Sequence, residues 1–99
     1  MSVPALASPS DQRCWVFVLE LAPIADLYLQ VLSRFPVQGA RVRRIELQSL
    51  DLGARLEVET AALAADQAER LRGRLAALIG VRSVGCGWRA PLPEQPGLD

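Results

Sequence analysis

Apolar positions along the chain switch between a two-residue and a 3.6-residue period, and each switch marks an element. Residues 14–21 alternate Trp15, Phe17, Leu19 and Leu21 against Cys14, Val16, Val18 and Glu20. Both sets are mostly apolar and rich in β-branched and aromatic side chains, which predicts a central strand with cover on each face. After Ala22 and Pro23 the period changes. Ile24, Leu27, Tyr28, Val31, Leu32 and Phe35 fall on one face of a helix expected over residues 23–34, with Leu29 off that face. Pro23 suits a first helical position, Asp26 suits the positive end of the dipole, and Pro36 is expected to end the helix.

A second strand is expected over residues 40–49. It sets Arg41, Arg43, Ile45 and Leu47 on one face and Val42, Arg44, Glu46 and Gln48 on the other. So many charges mark a sheet edge, where they oppose stray pairing. Asp51-Leu52-Gly53 reads as a hairpin turn into a third strand, residues 54–59, with Leu56 and Val58 inward and Arg55, Glu57 and Glu59 outward. A second helix lies within residues 62–79. Its stripe is Ala68, Leu71, Leu75, Leu78 and Ile79, Asp66 and Glu69 have the spacing of a capping box, and Gly80 is its stop. Residues 81–88 form a last strand with Val84, Cys86 and Trp88 on one face.

The order βαββαβ with right-handed crossovers gives an α+β, ferredoxin-like plait. It is a four-stranded antiparallel sheet of order 4-1-3-2 with two helices on one face. The domain spans residues 13–88, between a flexible arm over 1–12 and a flexible, proline-bearing tail over 89–99. The sheet face without helices is expected to carry Val, Leu, Cys or Trp, which implies a dimer or a hetero-complex.

Composition narrows the chemistry. The chain has 99 residues, enough for one domain, with eleven basic and eleven acidic side chains. This balance gives no global pull toward nucleic acid or an anionic membrane. Every cation is Arg, and there is no His. No imidazole base, Ser–His or Cys–His pair can therefore form, and two Cys fall short of a structural zinc site. No catalytic residue, metal site or cofactor is expected. No apolar run reaches the roughly 18–20 residues of a membrane span, and the N-terminus lacks the pattern of a secretory signal, so the expected location is the cytoplasm.

Two patterns resemble a known family. The run Arg74-Leu75-Ala76-Ala77-Leu78-Ile79-Gly80-Val81-Arg82-Ser83-Val84 is similar to the close of the second helix in the ACT domain family, and more narrowly in the acetolactate synthase small (regulatory) subunit. Glu20 through Pro23, leading into an amphipathic helix, resembles that family's first turn. The resemblance covers residues 15–86 and is nearest the short, single-domain type. It implies a homodimer and a large catalytic subunit as partner, in branched-chain amino acid biosynthesis. It also implies an amino-acid effector at Leu21, Ala22, Pro23, Ile24, Tyr28 and Gly39. Effector-binding members carry Asn-x-Pro-Gly at that turn. Here Leu21 offers no polar group and Ile24 puts a branched side chain where the backbone should be bare, so feedback is expected to be weak or absent. The alternative is a free-standing homodimeric sensor for a more apolar ligand, with Leu21, Ile24 and Tyr28 lining the pocket.

Three features remain. Arg41, Val42, Arg43, Arg44 and Ile45 are the expected interface, through side-by-side pairing of second strands. The arginines there lack the exposed aromatics with which RNA-binding plaits stack bases, so no nucleic-acid partner is expected. Cys14 and Cys86 start and end neighbouring antiparallel strands, and the sulfurs are expected near one another but reduced.

Overall fold

The computed structural model describes residues 12–89. Its elements are β1 (Gln12–Leu21), α1 (Leu27–Val37), β2 (Val42–Leu50), β3 (Gly53–Ala64), α2 (Ala65–Ala76) and β4 (Val81–Arg89). They form one antiparallel sheet of order β2-β3-β1-β4, which is the expected 4-1-3-2 read from the other edge. β1 is central because it pairs on both sides: Phe17 sits opposite Val58 and Cys86, and Leu19 opposite Leu56 and Val84.

Alternation along β1 separates two very different faces. Phe17, Leu19 and Leu21 point to the helices and join Leu56 and Val58 of β3 in the core. The helices close it with Leu27, Val31 and Phe35 from α1 and Ala68, Leu71 and Leu75 from α2. Phe17 and Phe35 meet edge to face, with centroids 5.4 Å apart, the arrangement favoured by the ring quadrupole. Thr60 is a polar residue buried in this layer. Its hydroxyl donates to the Ala61 carbonyl at 2.9 Å and accepts the Trp15 N–H at 3.4 Å. Trp15 in turn donates from Nε1 to the Leu63 carbonyl at 2.9 Å.

Several expected boundaries move. β1 begins at Gln12, one residue inside the expected arm, and β4 runs to Arg89; the rest of the arm and the tail lie outside the described residues. α1 starts four residues later than expected, because Asp26 adopts a left-handed conformation (φ 62) and residues 22–26 form a turn. Asp26 therefore precedes the helix and makes no side-chain cap bond. Pro36 does not end α1 but lies within its last turn. The chain stays wound because the N–H groups of Gln38, Gly39 and Ala40 still reach the carbonyls of Phe35 and Pro36.

β3 continues to Ala64, five residues past its expected end, because the start of β1 offers partners there: Gln12, Arg13 and Cys14 pair with Ala64, Leu63 and Ala62. The expected Asp66–Glu69 capping box is absent. Gln67 Oε1 accepts the Ala64 N–H at 3.4 Å, while Glu69 pairs with Arg72. α2 stops at Ala76, so Gly80 is not its immediate cap, and Ile79 drops out of the stripe to 87% exposed.

A bulge in β2 between Val42 and Arg44 changes the expected faces of that strand. Val42 packs against the core on the helix side, with Ile45 and Leu47, whereas Arg44, Glu46 and Gln48 lie opposite Glu59, Glu57 and Arg55 on the open face. The open face keeps the expected Val and Cys, as Cys14, Val16 and Val18 of β1, but not the expected Trp. Trp15, Cys86, Val84 and Trp88 belong to the helix side. Along β1 and β4 the open face carries Cys14, Val16, Val18, Glu20, Ser83, Gly85 and Gly87.

Candidate functional site

The first turn is closed by its own side chains. Leu21 is buried in the core and its register partners are Ala54 and Val81. Ala22 donates its N–H to the Gly80 carbonyl at 2.7 Å, which ties the turn to the connection before β4. Gly80 (φ +96) is in a region that disfavours any residue with a Cβ, and a Cβ there would stand 2.6 Å from Ile24 Cδ1 and 2.8 Å from Leu27 Cδ2. Ile24 therefore lies over the bare backbone of Gly80, while Pro23 is exposed. The helix N-terminus is less open than a free one. The N–H groups of Leu27 and Leu29 already bond the carbonyls of Ile24 and Asp26.

Tyr28 is half-buried against the core, next to Leu27. Gly39 (φ +80) is elsewhere. A Cβ on it would approach Gln67 Nε2 at 3.5 Å, in the first turn of α2, whereas Ile24 packs at Gly80, beyond the other end of that helix. The twelve residues of α2 span about 18 Å. Within one chain, Leu21, Ala22, Pro23 and Ile24 share the turn, Tyr28 follows in the first turn of α1, and Gly39 lies toward the far end of α2.

Between the helices runs an open cleft of about 250 Å³, lined by Arg34, Val37, Gln38, Arg74, Ala77 and Leu78. It is below the roughly 300–1,000 Å³ of typical ligand sites. Among the described residues, no cluster of three or more His, Cys, Asp or Glu is placed to hold a metal ion. No described helix is long and apolar enough to cross a membrane.

The expected interface residues lie on or beside the β2 edge. Ile45 and Leu47, 48% and 45% exposed, stand on the helix side, in register with the buried Val58 and Leu56. Arg44 pairs with Glu46 at 3.2 Å and Glu57 at 3.7 Å. Arg43 turns to Cys14, with Nη1 3.8 Å from the sulfur, and Arg41 is exposed just before the strand. On the outer side of α1, Leu29 is half-exposed, as its position off the stripe suggested.

Both cysteines are free thiols. They are not neighbours: Cys14 pairs with Arg89 and Cys86 with Phe17, which places them on opposite faces of the sheet. The expected proximity fails because the strands overlap with an offset of three residues, and an odd offset reverses the face. Cys86 sits beneath α2, where burial raises its thiol pKa; Glu69 raises it further and Arg72 opposes the shift. A feature not singled out in the sequence is the stacking of Arg13 on Trp88, with the guanidinium carbon 4.2 Å from the ring centre. Only the pairing of Trp15 with Trp88 across β1 and β4 brings these residues to one face, so nothing in their spacing pointed to it.

No protein-family profile matches the sequence, and a sequence comparison with curated proteins finds no match. Solved structures do match. The chain is similar to the ACT domain from GTP pyrophosphokinase of Chlorobium tepidum, with 15% identity and a TM-score of 0.68 over 76% of this chain and 97% of that one. It is also similar to the C-terminal domain of the MgtC protein from Mycobacterium tuberculosis, with 18% identity and a TM-score of 0.63 over 80% and 89% of the two chains. A homoserine dehydrogenase from Thiobacillus denitrificans matches at 10% identity and a TM-score of 0.69; 89% of this chain is covered but only 20% of that enzyme. These likenesses show the fold: a ferredoxin-like plait, as in that ACT domain.

Proposed function

We propose that the chain is a regulatory or accessory domain without chemistry of its own. It would act on a larger catalytic partner in the manner of the acetolactate synthase small subunit, with weak or absent amino-acid feedback. The observation that carries this reading is the filled turn. Leu21 is committed to the core and Ile24 covers Gly80, so the position at which an effector would meet polar donors and bare backbone holds two aliphatic side chains. What remains available is surface for association. Among the described residues no strand pairs with the outer edge of β2, which is flanked by Ile45 and Leu47. Antiparallel pairing of two β2 strands centred on Ile45 would set Arg44 opposite Glu46 of the partner subunit and repeat that pair by symmetry.

Two measurements test the reading. Mixing the chain with the large subunit of acetolactate synthase from the same organism is expected to raise its activity, with little response to valine; no complex and no change in rate would sink it. Sedimentation of the Ile45→Arg variant is expected to show a monomer where the parent chain is a dimer. The sensor reading rests on the apolar side chains that the turn leaves at the surface: Pro23 is exposed and Ile24 is 45% exposed. Saturable calorimetric binding of a branched-chain or aromatic amino acid, lost in Ile24→Asp, would favour it instead.

A further inference from the structure

The open face divides lengthwise. Its β2–β3 half is charged, with Arg44, Glu46, Gln48, Arg55, Glu57 and Glu59. Its β1–β4 half is smooth: Val16 and Val18 are half-buried and their cross-strand partners are Gly87 and Gly85. Glycine weakens a strand by roughly 0.5–1 kcal/mol relative to Ala, so two of them at alternate positions call for a reason. The fold supplies none. Neither has the positive φ of Gly39, Gly53 or Gly80. Among the described residues, a Cβ on Gly87 would meet nothing within 4 Å, and one on Gly85 would make ordinary contact with the Val18 carbonyl at 3.7 Å. The described residues leave this space on the outside of the sheet open, where close approach by another backbone would use it.

We propose that this strip docks an amphipathic helix of a partner protein, with a stripe of small apolar residues on Val16, Val18, Gly85 and Gly87 and an Arg or Lys flank along Glu57 and Glu59. Width supports a helix: two strands span about 10 Å, close to the roughly 10–12 Å diameter of a helix with its side chains. Length agrees, since Ser83 to Gly87 covers about 13 Å, or two to three helical turns. Charge sets the flank. Glu59 lies in the same row as Val16 and has no ion-pair partner among the described residues, and Glu57 shares only the 3.7 Å contact with Arg44. A second copy suits the face poorly. Stacking two such faces would bury the charged β2–β3 halves as well, with a desolvation penalty that apolar contact over two strands does not offset. The proposal is independent of which enzyme the chain serves.

The test uses the full chain and a synthetic, stapled helix of about fifteen residues, a length at which unstapled helices are marginal. The peptide carries an Ala stripe and an Arg flank, and binding is read by fluorescence anisotropy. Saturable binding is expected. Gly87→Val and Gly85→Val should each weaken it by about tenfold or more, which corresponds to about 1.4 kcal/mol. Their melting temperatures should equal or exceed the parent's, because Val favours strands. Glu59→Arg should reject the Arg-flanked peptide and accept a Glu-flanked one. Absence of saturable binding, binding by the Val variants as tight as the parent's, or a lower melting temperature in either would overturn the proposal. So would self-association of the parent chain that Gly87→Val abolishes, since the strip would then serve a second copy.

Discussion

The two faces of β1 come from one ten-residue strand and obey different rules. On the helix side, Phe17 and Leu19 are completely buried, and their neighbours on both flanking strands are apolar. On the open side, Val18 is half-buried between Glu57 and Gly85, and Val16 between Glu59 and Gly87. Period-two alternation reads almost the same for the two sets, since both are apolar. Cross-strand neighbours decide which set is core: aliphatic partners and a helix above make one, carboxylates and glycines beside make the other. The packed core of the described residues therefore lies on the helix side of β1.

The strongest way to break this contrast is to truncate each face in turn. Phe17→Ala removes a ring packed on Phe35 and is expected to lower unfolding free energy by about 3–5 kcal/mol, a large share of what a small domain has. Val18→Ala should lower it by about 1 kcal/mol or less, as half-burial of two methyl groups implies. Urea denaturation of both variants checks the pair, and equal losses would refute a one-sided core.

Next in size is Gly80→Ala, which combines positive φ with contact on Ile24 and Leu27; a loss of about 1–3 kcal/mol is expected. The Ile24→Ala background should recover part of it, because Ile24 Cδ1 is the nearest obstruction. Full recovery would show that the backbone conformation contributes nothing.

Gly73→Ala should act in the opposite direction. Gly73 is exposed in α2 and a Cβ there meets nothing within 4 Å, so a gain of about 1 kcal/mol is expected, equivalent to a rise in melting temperature of about 4–8 °C.

The smallest effect concerns pH. Burial raises the folded-state pKa of Cys86, so the unfolded chain releases that proton first. Stability present below the unfolded thiol pKa, about 8.5, should decline as pH rises through and beyond that value. Denaturation midpoints from neutral to alkaline pH should show the decline in the parent chain and its absence in Cys86→Ala.

Much of the architecture was legible in the residues. Alternation in residues 14–21 marked the central strand, the charges of residues 41–46 marked the edge, and the element order fixed sheet order and the side of the helices. Local pattern misplaced what depends on distant partners. The last three residues of β3, 62–64, look helical because Ala-rich sequence favours a helix, yet the start of β1 captures them as a strand. Val42 changed face because a bulge shifts phase by one residue without any mark in composition. At the candidate site, the lack of polar groups on Leu21 and Ile24 was readable from side-chain chemistry. The contact of Ile24 with Gly80, the separation of Gly39 from the turn, and the placement of Cys14 and Cys86 on opposite faces were not. Sequence by itself determined which segments alternate, wind and turn, since these follow from each residue's shape and polarity. Tertiary structure decided register, bulges and facing, because these depend on which distant strand supplies the hydrogen bonds.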